Sequence, residues 1–470
     1  MRLRTAAGLA LGVALALPGP ALASRLETWT TSSRYVDPSK VRFNGPADRP
    51  KALRVNVLLP DGYDGKRRFP VLYLLHGHGD AYDSWADPAH GDVARIAAHL
   101  GAIVVMPEGA RGWYTNWWNG GRRGAPAWEG YHLDELIPLV EKRLRIRPGR
   151  RWHAIAGLSM GGEGAMYYAT QRPGYFGTAA SFSGVLSIQR DEWPSGFNTQ
   201  GENYDDVFGD PSAQRFYSTG HNPTALSANL DHTRLFVAVG NGVPGPNPDE
   251  TSNTFGQVAE IELAQQAKDF VAAAEADGNH PEYRPQQGIH DWPYWRRHLT
   301  QAIAWGLFRP VDEHPAAWSF QTVSRSGDMW GLRFRFVAAP NTVETFRLRR
   351  GTLTGSGGGR VTIETTDGCR FTATLEFTRR VPSGCTLHLR VRPRSVRAGG
   401  LRRFRFRAWV VRDGRRVPVR RARIRVRGKR LRTNRRGLAS IKLRFHRAGR
   451  YRVRATRHKL VAATTFVRVR

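Results

Sequence analysis

Cysteine is scarce in this sequence, with two residues, Cys369 and Cys385, among 470. Two cysteines exclude a disulfide-dense scaffold and a four-cysteine zinc site. After the first residues no stretch reaches about 18 consecutive apolar residues, so no transmembrane helix is predicted. Apolar residues nevertheless make up 40% of the chain and aromatic residues 10%, which is enough for packed cores and excludes wholesale disorder.

Acidic residues are nearly missing from the end of the chain. From Arg392 to Arg470 there are 30 Lys and Arg residues and one acidic residue, Asp413, whereas the preceding 391 residues carry 42 basic and 38 acidic side chains. Such a charge is typical of proteins that bind anionic partners, here an anionic wall polymer, acidic polysaccharide, anionic lipid or nucleic acid. The alternative is that arginine reflects a GC-rich genome and supplies solubility. No base-reading motif is present, so sequence-specific nucleic-acid recognition is not predicted.

The first 23 residues have the pattern of a secretory signal peptide. Arg2 and Arg4 form a positive start, Thr5–Leu17 is a short apolar run, and Ala21-Leu22-Ala23 is a small-residue cleavage site. An uncleaved membrane anchor is the alternative reading. The sequence therefore predicts a secreted, extracellular protein, either free or associated with the cell wall.

Residues from about 50 to 310 alternate between strand and helix patterns, within a first domain predicted over residues 24–310. Pro70–Leu75 is apolar throughout, as a buried strand would be, and Gly130–Leu144 has its apolar residues at helix spacing. This alternation predicts an α/β domain with a mostly parallel sheet covered by helices on both faces. The other predicted strands and helices are Leu53–Leu59, Ala102–Met106, Trp152–Ala156, Arg234–Val239, Val258–Ala276 and His298–Leu307.

Two small all-β, sandwich-like modules are predicted after residue 310. In 311–391, short alternating strands are separated by glycine-rich turns, and Cys369 and Cys385 are expected to pair there because an exported chain meets oxidising conditions. In 392–470 arginine alternates with apolar residues, which places arginine on one sheet face and the core on the other. The segments Thr433–Ala439 and Ala448–Val453 of this basic module resemble bacterial immunoglobulin-like repeats of cell-surface proteins.

The segment Gly157-Leu158-Ser159-Met160-Gly161 fits the G-x-S-x-G pattern. In that pattern the serine sits on a strained turn from strand to helix, which leaves no room for side chains two residues away. Here the segment lies between a predicted strand and a predicted helix, so Ser159 is predicted to be a catalytic nucleophile, with a structural turn as the alternative. Ser181 and Ser183 lack this context and are interpreted as ordinary serines at a strand end.

A serine nucleophile needs a base, which follows it in chain order in this architecture. His290 comes after the last predicted strand and is the predicted base. His280, in a polar loop, and His298, inside a helix, are the competitors and are interpreted as solvated side chains.

The acid that orients the base has four candidates. Asp249 and Glu250 follow a predicted strand, and Glu260 and Glu262 lie on the long predicted helix. Helix periodicity places Glu260 on the apolar face and Glu262 on the outer face. A carboxylate on an apolar face needs a partner, and pairing with a histidine would supply one. Glu260 is therefore favoured, with a solvated Glu260 at the face boundary as the alternative.

An oxyanion hole requires two backbone N–H groups. Met160, the residue after the nucleophile, and His78, in the loop after the Pro70–Leu75 strand, are the predicted donors. Metal binding by His76 and His78 is the alternative reading of that loop, but no matching acidic cluster accompanies them. The prediction is no metal and no cofactor.

Residues from about 50 to 308 resemble the esterase family that includes the antigen 85 mycolyltransferases, S-formylglutathione hydrolase and feruloyl esterases. The resemblance implies an α/β-hydrolase domain with an acyl-enzyme mechanism. In the mycolyltransferase branch the acid is a helical glutamate ten residues before a phenylalanine, a spacing that Glu260 and Phe270 share. His76 and His78 depart from that branch and are more similar to plain esterases. The segments that carry the resemblance are Leu74–Gly79 with Trp85, Met106-Pro107, Trp113 to Trp117, Gly157–Gly162, His221–Thr224, Gly240–Pro244 and His290–Trp295.

Tryptophans concentrate in the same region. Trp85, Trp113, Trp117 and Trp292 are predicted to line the cleft, where they would hold an acyl chain or stack on a sugar, with packing in the core as the alternative. The predicted function is a serine esterase acting on an acyl sugar, a lipid or a plant-type ester. The alternatives are an acyltransferase of the mycolyltransferase type and a catalytically inert surface-binding protein.

Overall fold

The structure, a computed structural model, describes residues 24–46, 50–119, 127–190, 197–198, 201–245, 253–412 and 414–470. The predicted signal peptide and the rival acids Asp249 and Glu250 lie outside these residues. Within the described part of the chain, no helix combines the length and apolar character needed to cross a bilayer.

An eight-stranded sheet forms the centre of the first part of the chain. Its strands are β1 (Arg25–Thr31), β2 (Leu53–Leu59), β3 (Val71–Leu75), β4 (Ile103–Pro107), β5 (His153–Leu158), β6 (Thr178–Phe182), β7 (Arg234–Val239) and β8 (Glu282–Pro285). Their spatial order is β1-β2-β4-β3-β5-β6-β7-β8. Strands β1 and β2 pair antiparallel, and all pairings from β4 to β8 are parallel. The predicted mostly parallel α/β domain is confirmed.

Helices cover both faces of this sheet, which explains why β3 to β6 are buried at every residue. One apolar cluster, centred on β5 and α3, lies on one face, and a second cluster that includes Trp85 and α7 lies on the other. The helices are α1 (Val93–Ile96), a π-helical stretch (Gly130–Leu136), α2 (Ile137–Arg143), α3 (Met160–Gln171), α4 (Tyr204–Phe208), α5 (Arg215–Thr219), α6 (Thr254–Ala276) and α7 (Trp292–Trp305), with short 3-10 turns at Pro38–Lys40, Arg150–Trp152 and Ser227–Leu230.

Two four-stranded antiparallel sheets follow and enclose an apolar core. Strand alternation is visible in β11, where Leu332, Phe334 and Phe336 are buried and the arginines between them are exposed. The order is β10-β11-β14-β15 in one sheet and β16-β13-β12-β9 in the other. The strands are β9 (Ala317–Thr322), β10 (Ser326–Met329), β11 (Leu332–Phe336), β12 (Glu344–Arg349), β13 (Thr352–Ser356), β14 (Arg360–Glu364), β15 (Arg370–Thr374) and β16 (Phe377–Arg380).

The last part of the chain is a second pair of sheets around its own core. One sheet has the order β17-β19-β20 with β23 also paired to β19, and the other has the order β18-β25-β24-β21-β22. The strands are β17 (His388–Arg392), β18 (Ser395–Val396), β19 (Leu401–Arg412), β20 (Arg415–Pro418), β21 (Arg423–Val426), β22 (Lys429–Arg432), β23 (Leu438–Arg444), β24 (Gly449–Arg457) and β25 (Leu460–Val469).

The structure moves one predicted boundary. The sequence assigns residues up to 391 to the first β module, but β17 pairs with β19 and therefore belongs to the final pair of sheets. The boundary was misplaced because the alternation of strand residues continues through it without a break. Cys369 and Cys385 form a disulfide with their Cα atoms 4.9 Å apart, and it joins the turn between β14 and β15 to the segment that enters β17.

Arg150 connects the eight-stranded body to the first β module. Its guanidinium is buried and donates to the carbonyl oxygens of Pro173, Phe176 and Asp312. The Trp330 ring lies 4.3 Å from the Arg150 Cζ atom. The module is thus held against the body by a buried cation whose hydrogen bonds come from both sides of the junction.

Candidate active site

Ser159 lies between β5 and α3, at the carboxyl edge of the sheet. Its backbone has φ 53° and ψ −122°, a conformation that residues other than glycine adopt at an energetic cost. Its N–H group donates to the carbonyl of Phe182 at 2.9 Å, which ties the turn to the neighbouring strand β6. A sharp turn from strand to helix of this kind exposes the serine hydroxyl at the top of the sheet.

The glycines around Ser159 are required by close backbone contacts. A Cβ atom on Gly157 would lie 2.1 Å from the carbonyl oxygen of Gly161, and one on Gly161 would lie 2.5 Å from the carbonyl oxygen of His76. These distances are far below van der Waals contact. The G-x-S-x-G spacing is therefore a packing requirement of this turn.

His290 joins Ser159 to Glu260. His290 Nε2 lies 2.9 Å from Ser159 Oγ, and His290 Nδ1 lies 2.9 Å from Glu260 Oε2. When Nδ1–H donates to the carboxylate, the Nε2 lone pair is free to accept the serine proton. This is the geometry of a nucleophile, a general base and an orienting acid.

Glu260 is fully buried on α6, yet its carboxylate accepts several hydrogen bonds. Its Oε1 accepts hydrogen bonds from Ser183 Oγ at 2.6 Å and from the N–H group of Gly240 at 2.5 Å. Burial raises the pKa of Glu260, but the hydrogen bonds from His290, Ser183 and Gly240 outweigh it, so the net pKa lies below its ordinary value. Glu260 is therefore ionised at neutral pH and able to stabilise a charged imidazole.

Ser183 was misjudged from the sequence. It is not an ordinary serine at a strand end, because its hydroxyl holds the carboxylate that faces His290. Its φ of 49° places it, like Ser159, in a conformation unusual for serine, and its N–H group donates to the carbonyl of Ala238 at 2.8 Å. The available signal was its position at the end of β6, the strand next to the nucleophile strand.

The competing bases and acids stand elsewhere. His280 is exposed, and His298 is fully buried in α7, where burial lowers its pKa to about 3, so the expectation that His298 is solvated was wrong. Glu262 lies on the cleft wall and forms an ion pair with Arg190 at 2.9 Å. In the described part of the chain, Glu260 is the candidate acid that contacts His290.

The two predicted oxyanion donors are His78, in the loop after β3, and Met160, at the start of α3. The N–H group of Gly77 donates to Asp80 Oδ2 at 3.1 Å and is therefore already used. The next amide along the loop is that of His78. The carbonyl of His78 accepts from Asn44 Nδ2 at 2.7 Å, and its ring contacts Glu202. Met160 is the first residue of α3, at the positive end of the helix dipole. The pairing of the Met160 and His78 amides around an oxyanion stays a prediction.

His76 and His78 have separate surroundings. His76 is buried, its Nδ1 donates to the carbonyl of Gly77 at 2.7 Å, and its Nε2 accepts from the N–H group of Gly109 at 2.9 Å. The His78 ring instead lines the cleft beside Glu202. Over the described ranges, no three His, Cys, Asp or Glu side chains are grouped so that they could hold a metal ion.

A cleft of about 1030 Å³ opens above Ser159 and His290. Phe255 and Val258, on the first turns of α6, line it while remaining 71% and 63% exposed. The cleft is thus apolar over much of its wall, with charged groups at intervals. Its apolar lining residues are Trp113, Leu158, Val185, Phe255, Val258, Ala259, Leu263, Trp292 and Trp295, and its charged lining residues are Asp80, Arg111, Arg190, Glu262 and Asp291.

Two of the four predicted cleft tryptophans are core residues instead. Trp113 and Trp292 line the cleft, whereas Trp85 and Trp117 do not. The Trp85 indole donates to the carbonyl of Leu75 at 2.9 Å, and that of Trp117 donates to the carbonyl of Gly112 at 3.0 Å. Both rings are buried because backbone carbonyls satisfy their N–H groups there. Trp295, whose ring edge packs against His290 with centroids 4.9 Å apart, takes a place in the cleft wall.

Comparison with known proteins gives one family and several relatives. A family model described as "Putative esterase" matches residues 49–305. Esterase Rv1288 of Mycobacterium tuberculosis (strain ATCC 25618 / H37Rv) is 34% identical over 227 residues, which cover 46% of this chain and 47% of that protein. The diacylglycerol acyltransferase/mycolyltransferase Ag85C of Mycobacterium leprae (strain TN) is 27% identical over 263 residues, which cover 51% of this chain and 76% of that protein.

A solved structure of a ferulic acid esterase covers 61% of this chain and 99% of its own, with 23% sequence identity and a TM-score of 0.43. The chain spans about half the length of the Rv1288 relative. The family match ends at residue 305, before β9, so it covers the eight-stranded body and not the C-terminal sheets.

Proposed function

This chain belongs to the esterase family, and from that membership we propose that it is a secreted serine esterase that cleaves carboxylic esters through an acyl-enzyme. The motif-based resemblance to this family is confirmed. The observation that supports the catalytic proposal is the pair of 2.9 Å contacts that join Ser159, His290 and Glu260. Three side chains distant in sequence meet at one edge of the sheet, with a cleft above them.

Each residue has a separate task in the proposed reaction. Ser159 Oγ attacks the ester carbonyl carbon while its proton passes to His290 Nε2, and Glu260 stabilises the imidazolium that forms. The C–O bond to the alcohol then breaks, and His290 returns the proton to the departing alkoxide. A water molecule, activated by His290 in the same way, attacks the acyl-enzyme and releases the acid and free Ser159.

The negative charge that develops on the carbonyl oxygen needs donors. We assign these to the backbone amides of Met160 and His78. Each such donor contributes about 3–4 kcal/mol to stabilising the transition state. Support comes from the loop after β3. There the Gly77 amide donates to the Asp80 carboxylate, and the Asn44 side chain donates to the His78 carbonyl.

An active-site probe tests the catalytic proposal. A fluorophosphonate, which reacts with an activated serine, should label the wild-type protein, and Ser159→Ala should prevent labelling and lower ester hydrolysis by about 10⁶-fold. Ser212→Ala, which removes an exposed serine hydroxyl, should label as the wild type does. A wild-type protein that fails to label would contradict the proposal and favour the inert surface-binding protein.

The cleft supports an ester with an apolar acyl or aromatic portion, such as an acyl sugar, a lipid or a plant-type ester. An acyltransferase is the second candidate because a relative named as an acyltransferase matches over 76% of its length. In that reaction a sugar hydroxyl would replace water in the second step. A panel of esters of graded chain length, assayed with and without trehalose or another sugar, separates the two reactions by whether an acylated sugar accumulates.

Secretion and a surface partner complete the proposal. The sequence pattern of residues 1–23 supports export, and sequencing the amino terminus of the exported protein should begin at Ser24. The positive charge of residues 392–470 supports binding to an anionic cell-wall polymer or polysaccharide, and the resemblance of this part to immunoglobulin-like modules is consistent with a surface location.

A further inference from the structure

One solvent face of the final sandwich carries a dense set of arginines. They alternate along β21, β22, β24 and β25 with residues that point into the core, such as Ile424 and Val453. We call this set the arginine face. All eight of its side chains are exposed: Arg423, Arg425, Arg430, Arg432, Arg450, Arg452, Arg454 and Arg468.

The strand register places these arginines directly opposite one another. Arg425 faces Arg430 on one neighbouring strand and Arg454 on the other. Arg423 faces Arg432 on β22 and Thr456 on β24. Residues opposite one another in an antiparallel pair have Cα atoms about 4.5–5.5 Å apart, and like charges there destabilise the sheet.

No acidic side chain compensates this charge in the part of 392–470 that the structure describes. The sequence holds one acidic residue there, Asp413, and it lies outside the described residues. The arginines therefore repel one another across the strands, and an anion that bridges them would remove that repulsion. A surface that gains stability from an anion is also one that binds it.

The arginine face is concave at one place. A depression of about 340 Å³ is lined by Arg425, Val426, Arg430, Arg452 and Arg454 from three adjacent strands, together with the turn residues Arg427 and Gly428. The Arg427 guanidinium donates to the carbonyl of Arg444 and lies 5.5 Å from the Phe445 ring, so the turn is anchored. Five arginines thus line the depression, and one of them, Arg427, fixes the turn at its edge.

Spacing favours a linear ligand. Neighbouring strands lie about 4.8 Å apart, and alternate residues along a strand are about 6.8 Å apart. A chain that carries one anionic group about every 5–7 Å can contact arginine after arginine, and each guanidinium can bind a carboxylate with two parallel hydrogen bonds.

The surroundings favour an acidic polysaccharide over nucleic acid or a membrane. Single-stranded nucleic acids use aromatic rings on which their bases stack, but Phe466 on this face has the Arg450 guanidinium 4.6 Å from its ring centre. A membrane-binding face inserts several apolar side chains, whereas this face presents the single ring of Phe466, 41% exposed, with Arg452 opposite it and the Arg450 guanidinium over it. A dense set of cations around one ring fits a polymer of uronate sugars better than a row of stacked bases or a bilayer.

We infer that the arginine face binds an acidic polysaccharide through its uronate carboxylates, with the depression at Arg425, Arg430 and Arg454 as the centre of the site. This inference deepens the polymer partner proposed above. It rests on that part of the proposal and not on the esterase reaction, so the two can fail separately.

Calorimetric titration of the full chain with polygalacturonate tests the inference. The variant Arg425→Gln, Arg430→Gln, Arg454→Gln should bind at least about 10-fold more weakly than wild type, and its affinity should fall less steeply with salt because three charge contacts are gone. Ester hydrolysis by the same preparation should equal that of wild type, which shows that the body is folded and that binding is separate from the reaction.

A matched control lies on the other sheet of the same sandwich. Arg403, Arg405 and Arg407 on β19 are equally exposed, and Arg403→Gln, Arg405→Gln, Arg407→Gln removes the same charge. Arg405 and Arg407 also face arginines across their strands, Arg392 and Arg390, but the depression lies on the other sheet, so this control should change affinity by less than about 3-fold. Equal losses in both triple variants would overturn the inference, because net charge alone would then account for binding.

Competing ligands separate the classes of partner. Polygalacturonate should bind more tightly than single-stranded DNA of equal charge or vesicles of phosphatidylglycerol, and neutral dextran should not bind. Tighter binding of the DNA or the vesicles, or no binding of polygalacturonate, would overturn the inference.

Discussion

The carboxylate of Glu260 is surrounded by three donors, of which one is the proposed general base and two hold the carboxylate in place. His290 Nδ1 contacts one oxygen, while Ser183 and Gly240 donate to the other. The carboxylate therefore cannot rotate without breaking two further hydrogen bonds. At the scale of single residues, substitutions of Glu260 and of Ser183 should therefore separate the effect of the carboxylate's charge from the effect of its position.

Glu260→Gln should lower kcat by about 10³–10⁴-fold. A neutral amide cannot stabilise the imidazolium of His290, and its NH₂ group can hold the wrong tautomer. Steady-state hydrolysis of a soluble ester measures the effect. Glu262→Gln, two residues along the same helix on the cleft wall, is the control and should retain kcat within a few-fold. An equal loss in both variants would contradict the assignment of Glu260 as the acid.

Ser183→Ala should lower kcat roughly 10-fold and leave KM nearly unchanged. It removes a hydrogen bond to a buried carboxylate, a contact that contributes about 1.5–3 kcal/mol. It also removes a cause of the lowered Glu260 pKa, so the acid limb of the kcat profile should move to higher pH.

Ser181→Ala is the control for Ser183, because Ser181 Oγ, on the same strand, has no hydrogen-bond partner in the part of the chain that the structure describes. It should keep the wild-type profile. A KM effect without a kcat effect in Ser183→Ala would show that Ser183 contacts substrate rather than the acid.

At the scale of elements, the turn between β5 and α3 depends on the close approach of two backbones. Gly157→Ala should lower the free energy of unfolding by about 1–3 kcal/mol, because its Cβ would overlap the carbonyl of Gly161 and neither backbone can yield freely. Urea denaturation measures this. Gly79→Ala, where a Cβ meets nothing within 4 Å, should be neutral, and equal stability of the two variants would contradict the packing argument.

Much of the body and of the site could be predicted at this scale because their signals are local. The apolar run of β3 and the G-x-S-x-G turn each lie within a few residues, and helix periodicity placed Glu260 on the buried face of α6. The position of Ser183 at the end of β6 was not enough to predict its role, because that role depends on β6 lying beside β5 and on α6 bringing Glu260 to the Ser183 hydroxyl.

Which tryptophans are buried in the core also could not be predicted from the sequence. Nothing in the residue type distinguishes Trp85 and Trp117, whose indoles bond to backbone carbonyls, from Trp113 and Trp292, which face the cleft. The boundary at 391 failed for a related reason, since β17 has the composition of either neighbouring module and only its pairing with β19 assigns it.

At the scale of the whole molecule, a buried carboxyl should make stability depend on pH. Glu129 accepts from Asn116 Nδ2 and Tyr167 Oη, and burial raises its pKa from 4.5 to about 7. Its protonated form is favoured in the folded state, so its contribution to stability is full below pH 4.5 and is lost as pH rises through about 7.

Glu129→Gln should therefore flatten the fall in stability between about pH 5 and pH 8. The wild type should lose up to about 3 kcal/mol more of its unfolding free energy over this range than the variant does. Urea denaturation at a series of pH values measures the difference. Glu135→Gln, a less buried carboxyl nearby, should keep the wild-type slope. A slope unchanged in Glu129→Gln would contradict the assignment.

The buried guanidinium of Arg150 bears on how this chain can be divided. Its guanidinium N–H groups donate to carbonyl oxygens of the body and to that of Asp312. The same guanidinium lies over the Trp330 ring. A truncation after residue 310 would remove the Asp312 carbonyl and the Trp330 ring and so uncover one side of this buried cation. An expression clone of the eight-stranded body with its first β module should instead end between Cys385 and β17, which keeps the Cys369–Cys385 disulfide, and a graft that exchanges the terminal sandwich should retain everything before that point.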